Sequence, residues 1–293
     1  MEQLIIGVFE QGFIYAIMAL GVYITYKILD FPDLSVDSTF PLGAAVTTVM
    51  LSSGKNPLLA LIAATAAGAI AGMVTGIIHV KFKVRDLLSG IIVMTGLYTL
   101  NLRIVGGSAN VPLFNYNSVF DNDFINGIFP EALAPYKTVI IIFIIMIIAK
   151  ILLDLYLKTK SGYLLRAVGD NETIVTSLAK DSGFVKIVGL AISNGLVALA
   201  GSVMCQQRFF EISMGTGTIV IGLASVIIGT NVFKGNLIKA TTAVVIGSVI
   251  YKACVAIAIE VGLPATDLKL ITAVLFLIIL IISMDRKKKV KKA

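Results

Sequence analysis

The chain has 293 residues, 57% hydrophobic and 14% charged, with a mean hydropathy of +0.96 and no Trp. A water-soluble domain covers itself with roughly 25% charged residues, so this composition excludes a soluble globular protein and puts the chain in a bilayer. The net charge of +7 is spread over segment ends and a terminal RKKKVKK run, a placement that points to lipid and excludes nucleic acid as a partner.

Apolar runs bounded by Pro, Gly and charge predict nine helices, at 4–29, 38–52, 57–80, 87–105, 138–157, 187–207, 216–233, 236–260 and 268–284. The runs are long and do not alternate, which favours helices over a barrel. The expected fold is an all-α polytopic membrane protein of about nine transmembrane helices, in a single transmembrane domain over 1–293. Run 4–29 has no basic leader and no A-x-A-like cleavage site, so it reads as a retained helix.

Directly after it, Asp30, Asp33 and Asp37 recur at three- and four-residue spacing, among Ser35, Ser38 and Thr39, with Pro41 expected to interrupt the helix. Two readings stand. The acids form a solvated turn capping the helix from Ser38, or Asp33, Ser35, Asp37, Ser38 and Thr39 face a cavity, where free backbone groups are tolerated at membrane depth. His79, the only histidine, ends run 57–80 beside Lys81 and makes a metal site improbable. The 106–137 segment, with Asp121, Asp123 and Glu131, is long for a connector and is either an ordered docking surface or an irregular excursion. Lys150 and Asp154, four residues apart in run 138–157, suit a local pair.

Residues 159–186 break the apolar pattern with KSGYLLRAVGDNETIVTSLAKDSG. Gly162 opens two short helices joined by a Gly-Asp-Asn turn, Asp170 or Asn171 is placed to cap the second, and Gly183 is expected to end the unit. Such a hairpin either rests on lipid or is a handle for a cytoplasmic protein.

In the last third, Cys205 and Cys254 lie in apolar runs and read as packing residues. TFPLGAA at 39–45 and TIVIGLA at 218–224 align Thr39 with Thr218, Gly43 with Gly222 and Ala45 with Ala224, after helices of opposite direction. That is the pattern of an inverted repeat, whose centre commonly holds a transport path. Thr216, Thr218 and Ser225 are then expected on the wall opposite the Asp33 to Thr39 segment. Small residues Gly43, Gly222, Ala224 and Gly229 suit close helix packing. Lys252, about eight residues inside its run, needs a partner or a wet cavity. Seventeen Lys and Arg fall on one side of the predicted topology and five on the other. The basic side is cytoplasmic, which puts the N-terminus outside, and the C-terminus and basic tail 285–293 inside, against anionic lipid.

SGYLLRAVGDN, LAKDSG and KIVGLAISNGLVALAGSVMCQQ, in that order, resemble the cytoplasmic loop and following helix of ABC importer permeases of the branched-chain amino acid and ribose-type group. FPDLSVDSTFPLGAAV with GTGTIVIGLASVIIG is most similar to tryptophan/tyrosine-type uptake permeases, and the resemblance spans 4–284. It implies a transport subunit, not an enzyme, and the chain carries no G-x-x-x-x-G-K-[ST] of its own. ATP and Mg would sit on a partner ATPase dimer, a second permease copy would complete a homodimer, and an extracellular or periplasmic substrate-binding protein would deliver substrate. The handle residues implied are Gly162, Arg166, Ala167, Gly169, Asp170, Asn171, Glu172 and Gly183. The implied substrates are aromatic amino acids, with branched-chain amino acids, nucleosides and simple sugars as alternatives. An ion-coupled carrier would want buried carboxylates on its path, and Glu10 is a poor candidate.

Overall fold

Helix α1 (Glu2–Val22) continues as a π-helical segment, Tyr23–Ile28, and is followed by α2 (Val36–Ser52), α3 (Pro57–Phe82) and α4 (Asp86–Ile104). After strand β1 (Asn110–Pro112) come α5 (Lys137–Tyr156), two short helices α6 (Lys160–Asp170) and α7 (Glu172–Ser177), and the long α8 (Ser182–Gln207). Strand β2 (Phe209–Glu211), a 3-10 turn (Ile212–Gly215), α9 (Thr218–Val232), α10 (Ala240–Glu260) and α11 (Leu268–Lys291) complete the chain. This is a computed structural model; it describes residues 2–122, 125, 127, 135–177, 181–233, 238–261 and 267–291, and at 174, 177, 268 and 282–291 the backbone alone. Asp123, Glu131, Lys180, Lys234 and the side chains of the basic tail lie outside the described residues.

Helices occupy each of the nine apolar runs, and among the described residues seven helical stretches are long and apolar enough to cross a membrane, one of them, Ile212–Val232, only when the 3-10 turn and α9 are taken together. The other two are α2, with 17 residues, and α11, apolar over Lys269–Ile281. Local chemistry sets the ends. Asn56 accepts the Leu58 N–H at 2.8 Å with Pro57 in the first helical position of α3, where a missing N–H costs nothing. Asp181 accepts the Phe184 N–H at 3.0 Å to start α8. Gly183 therefore opens a transmembrane helix instead of closing the polar hairpin, a correction to the sequence reading. Pro41 is another: α2 runs unbroken through it, and the chain irregularity sits upstream, in the π segment and at 29–35. The proline still removes the N–H that would bond Asp37's carbonyl, and Gly215 packs directly on that carbonyl.

Close helix contacts rest on small residues. Gly68, Gly72 and Gly76 of α3 meet Asn194, Leu190 and Ile187 of α8, in descending order, so these helices are antiparallel. On the other face of α8, Gly43 meets the Ala198 carbonyl and Gly201 the Phe40 carbonyl of α2. The pair α9 and α10 repeats this pattern on α1. Gly229 seats on the Ala243 carbonyl, Gly247 on the Ser225 carbonyl, and Gly222 on Val22. Two serine hydroxyls add bonds to α1 carbonyls, Ser193 to Gly21 at 2.8 Å and Ser248 to Gly12 at 2.9 Å. Pairing of α2 and α3 with α8, mirrored by α9 and α10 with α1, is the internal relation that the 39–45 and 218–224 match implied. The long 106–137 segment is tied down where it is described: β1 pairs antiparallel with β2 (Asn110 opposite Glu211, Val111 opposite Phe210), and the Val119 N–H donates to Gln206 Oε1 at 2.9 Å.

A methyl group at Gly43 would overlap the Ala198 carbonyl, whereas at Gly7 it would meet nothing within 4 Å. Gly43→Ala is therefore expected to lose about 1–3 kcal/mol to overpacking, while Gly7→Ala gains a little from helix propensity. Thermal unfolding of the two purified variants in one detergent checks the contrast.

Candidate functional site

Helices α2 and α9 are about 25 Å and 22 Å long at 1.5 Å per residue, shorter than ~30 Å of hydrocarbon. Each follows a long helix and a return that is not α-helical: α1 then 29–35, α8 then 208–217. The two returns bring the N-termini of α2 and α9 together. Asp37, in the first turn of α2, makes the junction, accepting the Gly217 N–H at 3.0 Å, the Ile219 N–H at 2.9 Å and the Thr218 hydroxyl at 3.1 Å. One carboxylate thus caps a helix 180 residues away while lying at the positive end of its own helix. Gly217, at φ 82°, supplies the left-handed turn that aims these N–H groups at it.

A second carboxylate holds the 29–35 return. Asp33 is 1% exposed, accepts the Ser35 N–H at 2.9 Å and the Asn194 amide at 2.7 Å, while Ser35 Oγ donates to Asn194 Oδ1 at 3.2 Å. Among the described residues it pairs with no cation. Asn194 lies about 18 Å along α8 from its start, near the middle of a 26-residue spanning helix. The return therefore reaches deep between the helices. Asp30, by contrast, is exposed with φ 52°, which fits the solvated-turn reading for that residue alone.

Of the other residues singled out in the sequence, Ser38 and Thr216 border a cavity of about 420 Å³ together with Asp37 and three residues of α4: Thr95, Tyr98 and Thr99. Thr39 is buried and donates to the Ser35 carbonyl at 3.0 Å. Thr218 also donates to the Gly215 carbonyl at 2.9 Å. Ser225 is buried away from this cavity, its hydroxyl turned back to the Ile221 carbonyl at 2.8 Å and its own carbonyl covered by Gly247. Ala224 is buried with Ile228, Tyr251 and Val255. Lys252 stands apart from the junction, its Nζ 3.8 Å from the Tyr15 ring centroid and 3.3 Å from Gln11 Oε1.

Several site residues escaped the sequence reading. Asn194 and Asn101, whose amide donates to the Ser38 carbonyl at 2.9 Å, are isolated amides inside apolar runs, polar groups that need a partner when buried. Thr95, Tyr98 and Thr99 fall at i, i+3 and i+4 and share a face. That face of α4 is exposed among lipid-like neighbours such as Ile91 and Ile92.

The polar hairpin is built from α6 and α7. Thr159 caps α6 by accepting the Gly162 N–H at 3.3 Å, and Asn171 caps α7 by accepting the Thr173 N–H at 3.0 Å. Gly162 faces the Tyr156 carbonyl and Gly169 the Ile28 carbonyl, so the hairpin sits without a gap on the ends of α5 and α1. Leu165 and Val168 are buried beneath it and Ala167 is half-buried, while Tyr163, Arg166, Asp170 and Asn171 are exposed. Glu172 reaches back to α8 at 2.7 Å from Lys186 Nζ and 3.0 Å from Ser182 Oγ. Gly183, the second residue of α8, meets Val80 of α3. Asp154 accepts from Lys150 at 3.0 Å and from the Thr241 hydroxyl at 2.6 Å, which fastens α5 to α10.

The profile of the family described as branched-chain amino acid transport system / permease component matches residues 4–284. The chain belongs to this permease family. It is 48% identical over 275 residues to the tyrosine transport system permease protein of Clostridioides difficile, covering 93% of this chain and 89% of the relative. It is 27% identical over 231 residues to the ribose import permease protein of Escherichia coli K12, covering 78% and 70% of the two chains. At 26% identity over 233 residues it also matches the autoinducer 2 import system permease protein of Salmonella typhi, covering 76% and 61%. Among solved structures, the PsaBC complex with Fab from Streptococcus pneumoniae shares the fold at a TM-score of 0.54 and 13% identity, over 93% of this chain and 89% of that one. The protein is accordingly a permease component of an ABC-type transporter and a multi-pass protein of the bacterial cytoplasmic membrane.

Two outcomes follow from this permease's geometry. Asp37→Ala leaves the Gly217 and Ile219 N–H groups without their acceptor and is expected to cost about 1–3 kcal/mol, with Asp37→Asn, which keeps an acceptor oxygen, losing less; chemical denaturation of the two variants reads the order. At the hairpin, the hydrogen bond from Lys186 holds the Glu172 carboxyl below its ordinary range. The stability this link adds is present above the unfolded carboxyl pKa of about 4.3 and is lost as pH falls through the lower folded value. Amide exchange across 160–177, corrected for its intrinsic pH dependence, is expected to speed up below that window in the wild type and to lose this step in Glu172→Gln.

Proposed function

We propose that this permease is the membrane subunit of an importer for aromatic amino acids, working as a homodimer that a separate ATPase dimer drives and an external binding protein feeds. In this reading the chain crosses the membrane nine times, 29–52 and 208–232 each crossing as a return segment followed by a short helix, with the N-terminus outside and the C-terminus inside. The basic-residue asymmetry supports that orientation, and an odd number of crossings puts the two termini on opposite sides. The observation that carries the mechanical part is Gly169 seated on the Ile28 carbonyl. Through that contact, force on the exposed Arg166, Asp170 and Asn171 face reaches the π-helical end of α1. Residues 29–35 carry it to Asp33 and Asn194, and Asp37 carries it on to α9. A turn of π-helix at that end suits a segment that must yield.

ATP and Mg belong to the partner ATPase, and rigid helices convert its closure into opening or sealing of the junction. The hydroxyls of Ser38, Thr95, Tyr98, Thr99 and Thr216, with the Asp37 carboxylate, form a polar wall that a second copy would close into a passage. Aromatic amino acids are favoured as cargo because the 48%-identical relative carries tyrosine in its name. Branched-chain amino acids, nucleosides and simple sugars are the alternatives.

The test is uptake of labelled L-tyrosine by proteoliposomes holding the permease with its cognate ATPase and binding protein. Scrambling 166–171 is expected to abolish both uptake and permease-dependent ATPase activity. Gly169→Val, which leaves the exposed face in place but lifts its seat, is expected to cut uptake at least tenfold while ATP hydrolysis persists. Normal uptake by the scrambled variant would overturn the reading.

A further inference from the structure

Lys252 lines a half-open cavity of about 540 Å³ bordered by α1, α9, α10 and α11, separate from the junction cavity though it reaches Thr216 and Gly217. The walls are chiefly apolar, with Val8, Val220, Ile221 and Val255 among them. Inside a spanning helix an ammonium normally finds a carboxylate or snorkels to the surface. This one does neither. It makes no salt bridge among the described residues, and its contacts are the Tyr15 ring and the Gln11 amide oxygen at 3.3 Å. An ammonium has three donors, and these contacts leave capacity facing the cavity. A second cation, Lys269, borders the same space. Tyr15 is itself fixed by stacking on Phe40 of α2 at 6.0 Å, so the aromatic floor under the ammonium is rigid.

We infer that this cavity is a binding site for a carboxylate carried on an apolar body, with Lys252 taking the carboxylate and the α1, α9 and α10 walls taking the body. Size and chemistry agree: the volume falls in the range of small-ligand sites, which pair apolar walls with a few placed polar groups. The inference does not rest on the importer reading, since binding needs neither ATP nor partner subunits. Two sources offer this chemistry, an aromatic amino acid or a fatty-acid carboxylate from the bilayer.

The chain contains no Trp, so an indole probe can be followed by its own fluorescence. The full-length permease in phosphatidylcholine nanodiscs is titrated with indole-3-propionate and, in parallel, with 3-ethylindole, which lacks the carboxylate. Saturable binding of indole-3-propionate is expected, weakened at least tenfold by Lys252→Met and retained by Lys252→Arg, with 3-ethylindole weak and indifferent to both changes. Gly7 borders the cavity with open space at its Cβ position, so Gly7→Phe fills the site without disturbing packing and is expected to block the probe with thermal stability unchanged. Displacement by L-tyrosine assigns the site to the amino acid and displacement by oleate assigns it to lipid; either result supports the site. Absence of saturable probe binding, or equal affinity in wild type, Lys252→Met and Gly7→Phe, would overturn it.

Discussion

One carboxylate joins the two halves of this protein. Asp37 starts α2 and caps α9, taking two backbone N–H groups and a hydroxyl at 2.9–3.1 Å. Helices too short to span hydrocarbon leave their first N–H groups inside the membrane, where no water is at hand to satisfy them. Placing one anion between two helix N-termini solves that problem for α9 and gains from the dipoles of both. Without it, neither return segment has a reason to stop where it does.

Around that junction the molecule is organised by close approach. Glycines let α2 and α3 lie on α8, and α9 and α10 lie on α1 or on each other, backbone to backbone. Such contacts tolerate sliding of whole helices better than interlocked large side chains do, and they cannot compress. In the coupling proposed above, a displacement at the hairpin would move helices as units. The Asp33, Ser35 and Asn194 cluster fixes the irregular segment between α1 and α2 and ties it to α8.

Much of this was legible in the sequence. Hydropathy placed a helix in each of the nine apolar runs, seven of which hold a stretch long and apolar enough to cross a membrane among the described residues, because long apolar runs have few alternatives in a bilayer. The hairpin was legible from Gly162, Asn171 and the amphipathic YLLRAV, since capping is local chemistry. Three residues at 39–45 and 218–224 pointed to the paired halves. What stayed hidden depends on depth and distance. Asp37 reads equally well as a solvated cap of its own helix; that it caps a helix 180 residues away is a tertiary fact. Pro41 was expected to break α2, but the helix runs through it at the loss of the one bond to the Asp37 carbonyl, on which Gly215 packs, and the irregularity lies upstream at 29–35. Gly183 looked like a stop because what Asp181 would cap was not visible from composition. Asn194, Asn101 and the α4 hydroxyl face were overlooked because isolated amides and threonines barely change the hydropathy of a run.

The most direct measurement is a high-resolution cryo-electron microscopy map of the full-length permease in a lipid nanodisc, where bilayer boundaries are visible beside the helices. The account predicts that α2 and α9 both begin within the hydrocarbon layer, with the Asp37 carboxylate in hydrogen-bond contact with the Gly217 and Ile219 amides near its middle. A map in which those two helices traverse the layer unbroken, leaving Asp37 among the lipid headgroups, would contradict it.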